Sequence, residues 1–234
     1  MTRQVDFQIL EVYIVSREDD FYELGRNLTE NVYEKVWQTQ TFLDNNDYGI
    51  IVVCDGEIIG NVNMQLKQAG LLNSERFFVP SHWTEYFETE NTKIAEISGF
   101  AVSQNIPKNL SNPTKMLLIT GLQQLCRIKV IKNIITIQHE FLVRILNKRF
   151  GLPLTKNTRV TIPDNISLPN CNYWNSTKIP AIYYLNPLSS EFSCICYSFL
   201  TYLSLELEIQ PLFRFRINFN SQSSYSKFYK NYYE

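Results

Sequence analysis

The chain has 234 residues, of which 44% are hydrophobic and 19% are charged, and its formal net charge is -1. This length is sufficient for one domain with a substantial core. Because the charges are nearly balanced, there is no basic field to attract nucleic acid or an anionic membrane, and we expect small or locally recognised partners.

The sequence carries no signal that would place it in a membrane or an oxidising compartment. No apolar run has the length of a membrane span, and MTRQVDFQIL at the N-terminus alternates polar and apolar residues, unlike a signal peptide. We therefore expect a cytoplasmic protein.

The five cysteines are odd in number and scattered, so we expect no disulfide framework. Cys194 and Cys196 form a C-x-C pair without a second pair or a nearby histidine, so we expect no metal site.

The first predicted elements are a strand and a helical segment. Residues 5–15 alternate apolar and polar side chains, which predicts a strand. Ser16 and Asp19 have the spacing of a capping box. Leucines and valines four residues apart in 21–40 predict one long helix, or two short helices broken near Gly25.

A hairpin and a long irregular segment follow. Residues 48–66 contain two β-rich runs joined by Asp55 and Gly56, which is a strong hairpin signal. Residues 67–92 lack periodicity and are rich in aromatic residues, as is typical of a functional or mobile segment. KIAEISGFAV, residues 93–102, predicts the next strand.

The second half alternates helices and strands. Residues 111–129 predict a helix, with Asn112 as its N-cap and Pro113 at its first position. The remaining predicted elements are a strand at 133–138, a helix at 139–151 closed by Gly151, and strands at 158–164 and 178–187. Strands that alternate with single helices imply a mixed sheet with at least one parallel crossover.

The composition changes from residue 189 onward. LELEIQ (205–210) and LFRFRINF (212–219) alternate like strands, and a tyrosine-rich polar tail follows. We therefore expect a domain at 1–188 and an aromatic-rich extension at 189–234, which either completes the sheet or is partly disordered.

The strand at 93–102 carries an unexpected carboxylate. In an extended chain, one face of this strand holds Ile94, Glu96, Ser98, Phe100 and Val102. An ionised carboxylate among apolar neighbours must be paired, hydrated by a pocket or shifted toward the protonated form. Glu96 is therefore a candidate general base, and the alternative is a glutamate at the rim of the sheet that points into water.

Three segments resemble one acyltransferase superfamily. KIAEISGFAV resembles the E-I/L-S-R-F-A-V strand of the acyl-homoserine-lactone synthases and the related long-chain N-acyl amino acid synthases, which belong to the GNAT superfamily. RNLTENVYEKVW resembles their N-terminal helix, and DGEIIGNVNMQL resembles their hairpin strand, G-x-x-V/I-G-x-x-R-L. The resemblance implies a GNAT-like α/β fold: a mixed, mostly antiparallel twisted sheet flanked by helices. A splayed pair of parallel strands would admit an acyl thioester.

A second resemblance is to the thermostable-hemolysin family, which has L-E-x-Y, E-V-G-N-L-A, R-L-G-L and W-G-x-Y-Y-x-x-P segments. The matching residues here are Glu75, Glu96, Gly151, Trp174, Tyr183, Tyr184 and Pro187. The two resemblances together cover about residues 25–187. A toxin-like membrane activity is not expected, because the sequence has no amphipathic basic helix to carry it.

Two departures from these families bear on the chemistry. The arginine after the strand glutamate of the autoinducer synthases is Gly99 here, and the arginine of their hairpin strand is Met64 or Asn63, which argues against a reaction that uses S-adenosylmethionine. The pyrophosphate loop Q/R-x-x-G-x-G/A is replaced by IPKNLSNPTK, which lacks glycine. We therefore expect no tightly bound cofactor. We expect an acyl-carrier-protein or acyl-CoA donor, held through pantetheine and carrier-protein contacts.

The reaction implied by the resemblance is N-acylation, which needs a deprotonated amine, a thioester held close to it and donors for the developing oxyanion. Glu96 is the candidate base, and its apolar neighbours favour a raised pKa. Ser98 is a candidate hydrogen-bond partner of the acceptor or the leaving thiol, or else a small residue beside a cleft. Gly99 would let the substrate approach closely. The candidate oxyanion donors are the backbone N–H groups of Phe100, Ala101 and Val102.

Other candidate binding residues lie outside this strand. Glu75 and Arg76 are candidates to recognise charged groups of the acceptor, or else form an exposed surface pair. His82 is an alternative base, and His139 is expected to cap its helix. Aromatic residues that either line an acyl tunnel or belong to the core are Tyr33, Trp37, Phe77, Phe78 and Trp83.

The sequence thus favours an N-acyltransferase that moves a medium or long acyl chain from a carrier-protein or coenzyme-A thioester to the amino group of an amino acid or a related small amine. The alternative is a non-catalytic GNAT-like domain that binds lipid or protein through its tyrosine-rich C-terminal tail.

Overall fold

The computed structural model describes residues 7–39, 45–68, 70–80 and 82–217. The tyrosine-rich tail and the first two residues of the predicted first strand lie outside this part of the chain. The strands are β1 (Gln8–Ser16), β2 (Tyr48–Cys54), β3 (Glu57–Leu66), β4 (Ile94–Val102), β5 (Asn133–Gln138), β6 (Thr155–Lys156), β7 (Ala181–Leu185) and β8 (Ile209–Arg216). The helices are α1 (Asp20–Trp37), α2 (Asn73–Phe77), α3 (Trp83–Tyr86), α4 (Lys108–Lys129), α5 (Glu140–Phe150) and α6 (Ser190–Leu205).

The described strands form one mixed sheet in the order β6-β7-β5-β4-β3-β2-β1-β8. Strands β1 to β4 pair antiparallel in succession, as do β5 with β7 and β6 with β7. β4 and β5 are parallel and are connected through α4, so the predicted parallel crossover is confirmed. β8 pairs parallel with β1 at the far edge.

Helix α1 is continuous and is capped differently from the prediction. Asp19 is its N-cap and accepts a hydrogen bond from the Phe21 backbone N–H at 2.9 Å, so Ser16 does not start a capping box. The helix runs through Gly25 without a break. A Cβ on Gly25 would lie 2.5 Å from the Asn61 side-chain oxygen, so this glycine permits close packing of α1 on β3.

Helix α4 begins earlier than predicted. It starts at Lys108 with Pro107 as its N-cap, so Asn112 is not the cap and Pro113 lies within the helix. Leu110 is only 4% exposed and belongs to the main core. Its burial accounts for the extra turn at the start of the helix.

Two predicted strands are wrong. Residues 158–164 form no strand; Thr161 makes only an isolated bridge to Val79. Residues 205–210 contribute only Ile209 and Gln210 to β8, because the preceding segment is the helix α6. This helix buries four residues at helical spacing: Phe192, Cys196, Phe199 and Leu203. That spacing was the signal in the sequence, and it overrides the strand preference of the aromatic residues.

Hydrophobic clusters cover both faces of the sheet. On one face, α4, α5 and α6 enclose the main core, which includes Leu10, Val62 and Leu118. On the other face, α1 covers a small cluster around Tyr22, and a third cluster surrounds Trp83 and Trp174. Within the described ranges, no helix combines the length and hydropathy needed to cross a bilayer.

Candidate active site

The site forms where β4 and β5 separate. Their pairing consists of Ile94 with Asn133, Ala95 with Ile134 and Glu96 with Ile135. Beyond this point the Thr136 hydroxyl donates to the Ile97 carbonyl at 3.2 Å, so a side chain replaces the backbone ladder. Glu96 therefore lies at the last rung before the two strands diverge.

A β-bulge follows directly in β4. Asn63 of β3 pairs with Ser98 and Asn61 pairs with Ala101, so Gly99 and Phe100 lie opposite a single residue, Val62. Gly99 has φ +63°, a left-handed conformation that glycine adopts without strain.

The bulge changes the side of the sheet on which the end of β4 points. Phe100 and Val102 pack against the main core, as Ala95 does. The prediction that they share a face with Glu96 is therefore wrong, because simple alternation ends where the extra residue is inserted.

Glu96 is buried and accepts a hydrogen bond from a backbone N–H group. It is 3% exposed, and its Oε2 accepts a hydrogen bond from the Ser74 backbone N–H at 2.8 Å. Burial raises the pKa of the Glu96 carboxyl to about 7, although the hydrogen bonds from Ser74 act in the opposite direction. Glu96 is therefore poised to exchange a proton near neutral pH.

The segment at 67–92 holds the partner of Glu96 in place. Ser74 is fully buried, and its hydroxyl accepts a hydrogen bond from Trp83 Nε1 at 3.1 Å. Glu75 accepts from the Leu72 backbone N–H at 2.9 Å and pairs with Lys67 at 2.5 Å. The segment predicted to be irregular thus contains α2 and α3 and supports the site.

A cavity of about 190 Å³ opens beside Glu96. Its predicted lining residues are Tyr33, Phe77, Glu96, Ser98 and Gly99. The residues that we did not predict to line a cavity include Arg26, Thr29, Glu30, Asn46, Asn63, Asn73, Ile137, Gln138, Cys171, Tyr173 and Trp174. Trp174 was singled out by the resemblance to the thermostable-hemolysin family, but without a role in the site.

One end of this cavity is polar. Arg26 and Glu30 of α1 form an ion pair one helical turn apart. The Ser98 hydroxyl donates to Asn46 Oδ1 at 3.1 Å. The i, i+4 spacing of Arg26 and Glu30 was visible in the sequence, but such pairs are common on exposed helix faces and did not indicate a cavity.

The other end is aromatic. Phe77 and Trp174 have ring centroids 5.0 Å apart. Tyr173 donates its hydroxyl to the Ile137 carbonyl at 2.6 Å, and burial raises its pKa well above the usual value. Burial also raises the pKa of Tyr33 to about 12, so both phenols stay protonated at neutral pH.

Several predicted binding residues lie elsewhere. Phe78 and Trp83 are core residues, with exposures of 3% and 1%. Trp37 stacks on His139 at 5.2 Å outside the cavity lining. Glu75 is held by its contacts to Leu72 and Lys67, and neither it nor the exposed Arg76 lines the cavity.

The two histidines do not act as predicted. His82 is exposed and does not line the cavity, so it is not placed to replace Glu96 as a base. His139 is the N-cap residue of α5, but its side chain makes no capping bond. Its Nε2 lies instead 2.9 Å from the Tyr173 carbonyl oxygen, which ties α5 to the aromatic end of the site.

A second cavity, of about 460 Å³, lies on the opposite face of β4. Phe100 and Val102 line it, together with Lys108 and Lys115 of α4 and Ile145 of α5. Gly99 borders the first cavity and Phe100 borders the second, so the two residues of the bulge face different cavities. Ala101, the remaining predicted oxyanion donor, is 3% exposed and pairs with Asn61.

The raised pKa of Glu96 makes stability depend on pH. Between about pH 4.5 and 7 the folded state keeps a proton that the unfolded chain has released, so stability falls as pH rises through this window. We expect Glu96→Gln to be more stable than the native chain at pH 8 by on the order of 3 kcal/mol, since one pKa unit corresponds to about 1.4 kcal/mol. At pH 4 this difference should disappear. Urea unfolding of both proteins at pH 4 and pH 8 measures the difference in their free energies of unfolding. The same difference at both pH values would contradict the prediction.

No family model matches the sequence, and no curated protein matches it. Several solved structures are similar to this chain. The acyl-homoserine-lactone synthase LasI is 15% identical with a TM-score of 0.56, over 82% of this chain and 96% of LasI. BjaI, a CoA-dependent acyl-homoserine lactone synthase solved with SAM and isopentyl-CoA, is 12% identical with a TM-score of 0.58, over 89% and 94%. FeeM, an N-acyl amino acid synthase from uncultured soil microbes, is 13% identical with a TM-score of 0.52, over 76% and 91%.

At these identities the likeness establishes the fold. The mixed sheet, the parallel β4 and β5 pair and the helices on both faces agree with the architecture that the sequence predicted. The chain therefore has the GNAT-like fold that it shares with the acyl-homoserine lactone synthases and with FeeM.

Proposed function

We propose that this protein is an N-acyltransferase. It transfers a medium or long acyl chain from an acyl-carrier-protein or acyl-CoA thioester to the amino group of an amino acid or a related small amine. The observation that carries this proposal is the position of Glu96, a buried carboxyl with a pKa of about 7 that lines the first cavity at the last paired position before β4 and β5 separate. The names of the similar structures, which are acyl-homoserine lactone synthases and an N-acyl amino acid synthase, support the same chemistry.

Glu96 acts as the base. In its carboxylate form it takes one proton from the ammonium group of the acceptor, directly or through water. The amine nitrogen then attacks the thioester carbon, the C–N bond forms, and negative charge develops on the carbonyl oxygen. When the carbonyl re-forms, the C–S bond breaks, and the leaving sulfur takes the second proton of the amine, so that an amide and a thiol are the products. Backbone N–H groups at the bulge are the candidate donors to the oxyanion.

The polar end of the first cavity suits the acceptor. Arg26 lines it and forms an ion pair with Glu30. Guanidinium groups bind carboxylates with two parallel hydrogen bonds. An amino acid would bind here with its carboxylate on Arg26 and its amino group beside Glu96.

The second cavity suits the thioester donor. Lys108 and Lys115 line it, and the Lys115 ammonium donates to the Ser111 hydroxyl at 2.7 Å. Burial lowers the pKa of Lys115. These cations favour the phosphate of a pantetheine arm or the acidic surface of a carrier protein. The glycine-free connection between β4 and α4 favours the carrier protein over free coenzyme A. The absence of arginine at Gly99, and at Met64 or Asn63, argues against S-adenosylmethionine as the acceptor.

The aromatic end of the first cavity suits the acyl chain, and Phe77 tests this assignment. Its ring packs 5.0 Å from Trp174 and lines the cavity. We expect Phe77→Ala to lower kcat/KM for long-chain donors by about tenfold, because the ring buries apolar area against the chain, and to leave short-chain donors nearly unchanged. A chain-length series assayed with both proteins measures this. An equal loss at every length would show that Phe77 supports only the fold.

The experiment that tests the function is mass spectrometry of lipid extracts from a host that expresses the native chain, Glu96→Gln or neither. N-acyl amino acids or amines that appear only with the native chain would establish the reaction and identify both substrates. Identical extracts, with the native protein shown to be folded, would contradict the proposal and favour the non-catalytic binding domain.

A further inference from the structure

A second polar side chain lies beside the bulge. Asn63 of β3 pairs with Ser98, is 4% exposed and lines the first cavity. Its Oδ1 accepts a hydrogen bond from Asn61 Nδ2 at 3.1 Å. Because the oxygen is held on the Asn61 side, the amide nitrogen of Asn63 is directed toward Gly99.

The absence of a side chain at Gly99 leaves this nitrogen uncovered. A Cβ built on Gly99 would lie 2.8 Å from Asn63 Nδ2 and 3.3 Å from Thr29 Cγ2, so any larger residue would press on the amide. Gly99 and Asn63 both line the first cavity, so a substrate oxygen in the cavity can approach the nitrogen and accept a hydrogen bond from it. Within the described part of the chain, the hydrogen bond of the Asn63 side chain engages its oxygen and not this nitrogen.

The surrounding hydrogen bonds fix the Asn63 side chain and the Gly99 backbone. Asn61 is fully buried, and its Nδ2 also donates to the Thr29 hydroxyl at 2.8 Å. That hydroxyl in turn donates to the Gly99 carbonyl at 3.1 Å. One buried amide therefore positions Asn63 and, through Thr29, the backbone of the bulge. A donor held in this way needs no reorganisation when charge develops nearby.

Resting on the proposed acyl transfer, we propose that Asn63 is a catalytic residue whose side-chain N–H donates to the thioester carbonyl oxygen as that oxygen becomes anionic. The amine adds to the carbonyl carbon, and the π electrons of the carbonyl move onto the oxygen beside Gly99. As they return, the C–S bond breaks and the thiol is released. The donor strengthens its hydrogen bond only in the charged intermediate, so it raises kcat and changes substrate binding little.

The chemistry of the group favours this role over recognition of the acceptor carboxylate. A carboxylate is held best by the paired N–H groups of a guanidinium. Asn63 is neutral and offers one nitrogen at a restricted position above Gly99. This arrangement suits a single carbonyl oxygen.

Two variants and two donors test the proposal. Asn63→Asp keeps an oxygen for the bond from Asn61 and removes the N–H donor, whereas Asn63→Ala removes the amide without adding a charge. Each is assayed with an octanoyl thioester, carried by acyl carrier protein and in parallel by coenzyme A, and with the corresponding dithioester analogue, in which sulfur replaces the carbonyl oxygen and accepts hydrogen bonds poorly. The acceptors are an equimolar mixture of the twenty amino acids, together with any acceptor that the lipid extracts identify.

With the octanoyl thioester, we expect both variants to lower kcat by about 10²- to 10³-fold, which is typical for removal of one oxyanion donor, while KM for the amine changes by less than about threefold. With the dithioester, we expect kcat of both variants to be only a few-fold lower than that of the native protein. Glu96→Gln provides the contrast, because a base that acts on the amine should lower the rate with both donors alike.

The outcomes separate this inference from the function on which it rests. Native protein that transfers neither donor to any acceptor overturns both. If the native protein is active but the variants lower kcat equally with both donors, or change only KM, the role of Asn63 alone is overturned. Circular dichroism and melting temperature establish that each variant is folded. If Asn63→Ala fails this check, Asn63→Asp decides, since it preserves the size of the side chain.

Discussion

Glu96→Gln is expected to lower the acyl-transfer rate by about 10²- to 10⁴-fold at pH 8, the range over which a positioned general base contributes. Gln keeps the size of the side chain, and its carbonyl oxygen can still accept the hydrogen bond that the Ser74 backbone N–H makes to Glu96 at 2.8 Å. It cannot take a proton from the amine. The fold should therefore persist while turnover is lost, as measured by thioester consumption together with circular dichroism.

The pH profile makes this prediction more specific. The base works as a carboxylate, and burial raises the pKa of Glu96 to about 7. We expect log(kcat/KM) of the native protein to rise with pH and to level off above about pH 7, and we expect the residual rate of Glu96→Gln to lack this inflection.

Glu75→Gln is the matched control. Glu75 is two residues from the Asn73 that lines the cavity, but it pairs with Lys67 and does not line the cavity itself. The same chemical change there should leave turnover within a few-fold of the native rate. Retained activity in Glu96→Gln would contradict the assignment of Glu96 as the base, and an equal loss in both variants would show that the effect is not specific to Glu96.

Trp83→Ala is expected to destabilise the protein by about 3–5 kcal/mol, as is typical when a large buried aromatic side chain is truncated. Trp83 is 1% exposed and packs against Tyr86 and Phe87, with ring centroids 6.2 Å from each. Its Nε1 also donates to the Ser74 hydroxyl, so truncation leaves a buried hydroxyl without its donor. Urea unfolding, compared with the native chain, measures the loss.

Trp83→Phe separates packing from the hydrogen bond. It keeps an aromatic ring in the core and removes the indole N–H, so we expect a smaller loss of roughly 1–2 kcal/mol. If Trp83 instead lined an acyl tunnel, Trp83→Ala would change chain-length preference and leave the free energy of unfolding nearly unchanged. That result would contradict its assignment to the core.

The sequence determined the features that depend on neighbouring residues. The Asp55-Gly56 hairpin, the helix that Gly151 ends with φ +68°, and the strand that carries Glu96 were each visible in local patterns. Their order predicted the mixed sheet with a parallel crossover. Glu96 was identified because a carboxylate in an apolar strand needs a physical explanation, and its burial and raised pKa agree with that reasoning.

Only the tertiary structure decided which side chains meet at the site. The bulge at Gly99 and Phe100 depends on pairing with β3, so alternation within β4 could not reveal that Phe100 turns away from Glu96. Aromatic content could not separate Phe77, which lines the cavity, from Trp83, which lies in the core.

The same limit applies to the partners of Glu96 and to the C-terminal segment. Ser74 and Asn63 reach the site from separate segments, and the buried face of α6, whose helical spacing is present in the sequence, packs on α4. Periodicity and capping act over a few residues, so the sequence could specify the elements and one unusual carboxylate. Strand register, the bulge and the convergence of distant segments depend on long-range packing, and these features built the cavity around that carboxylate.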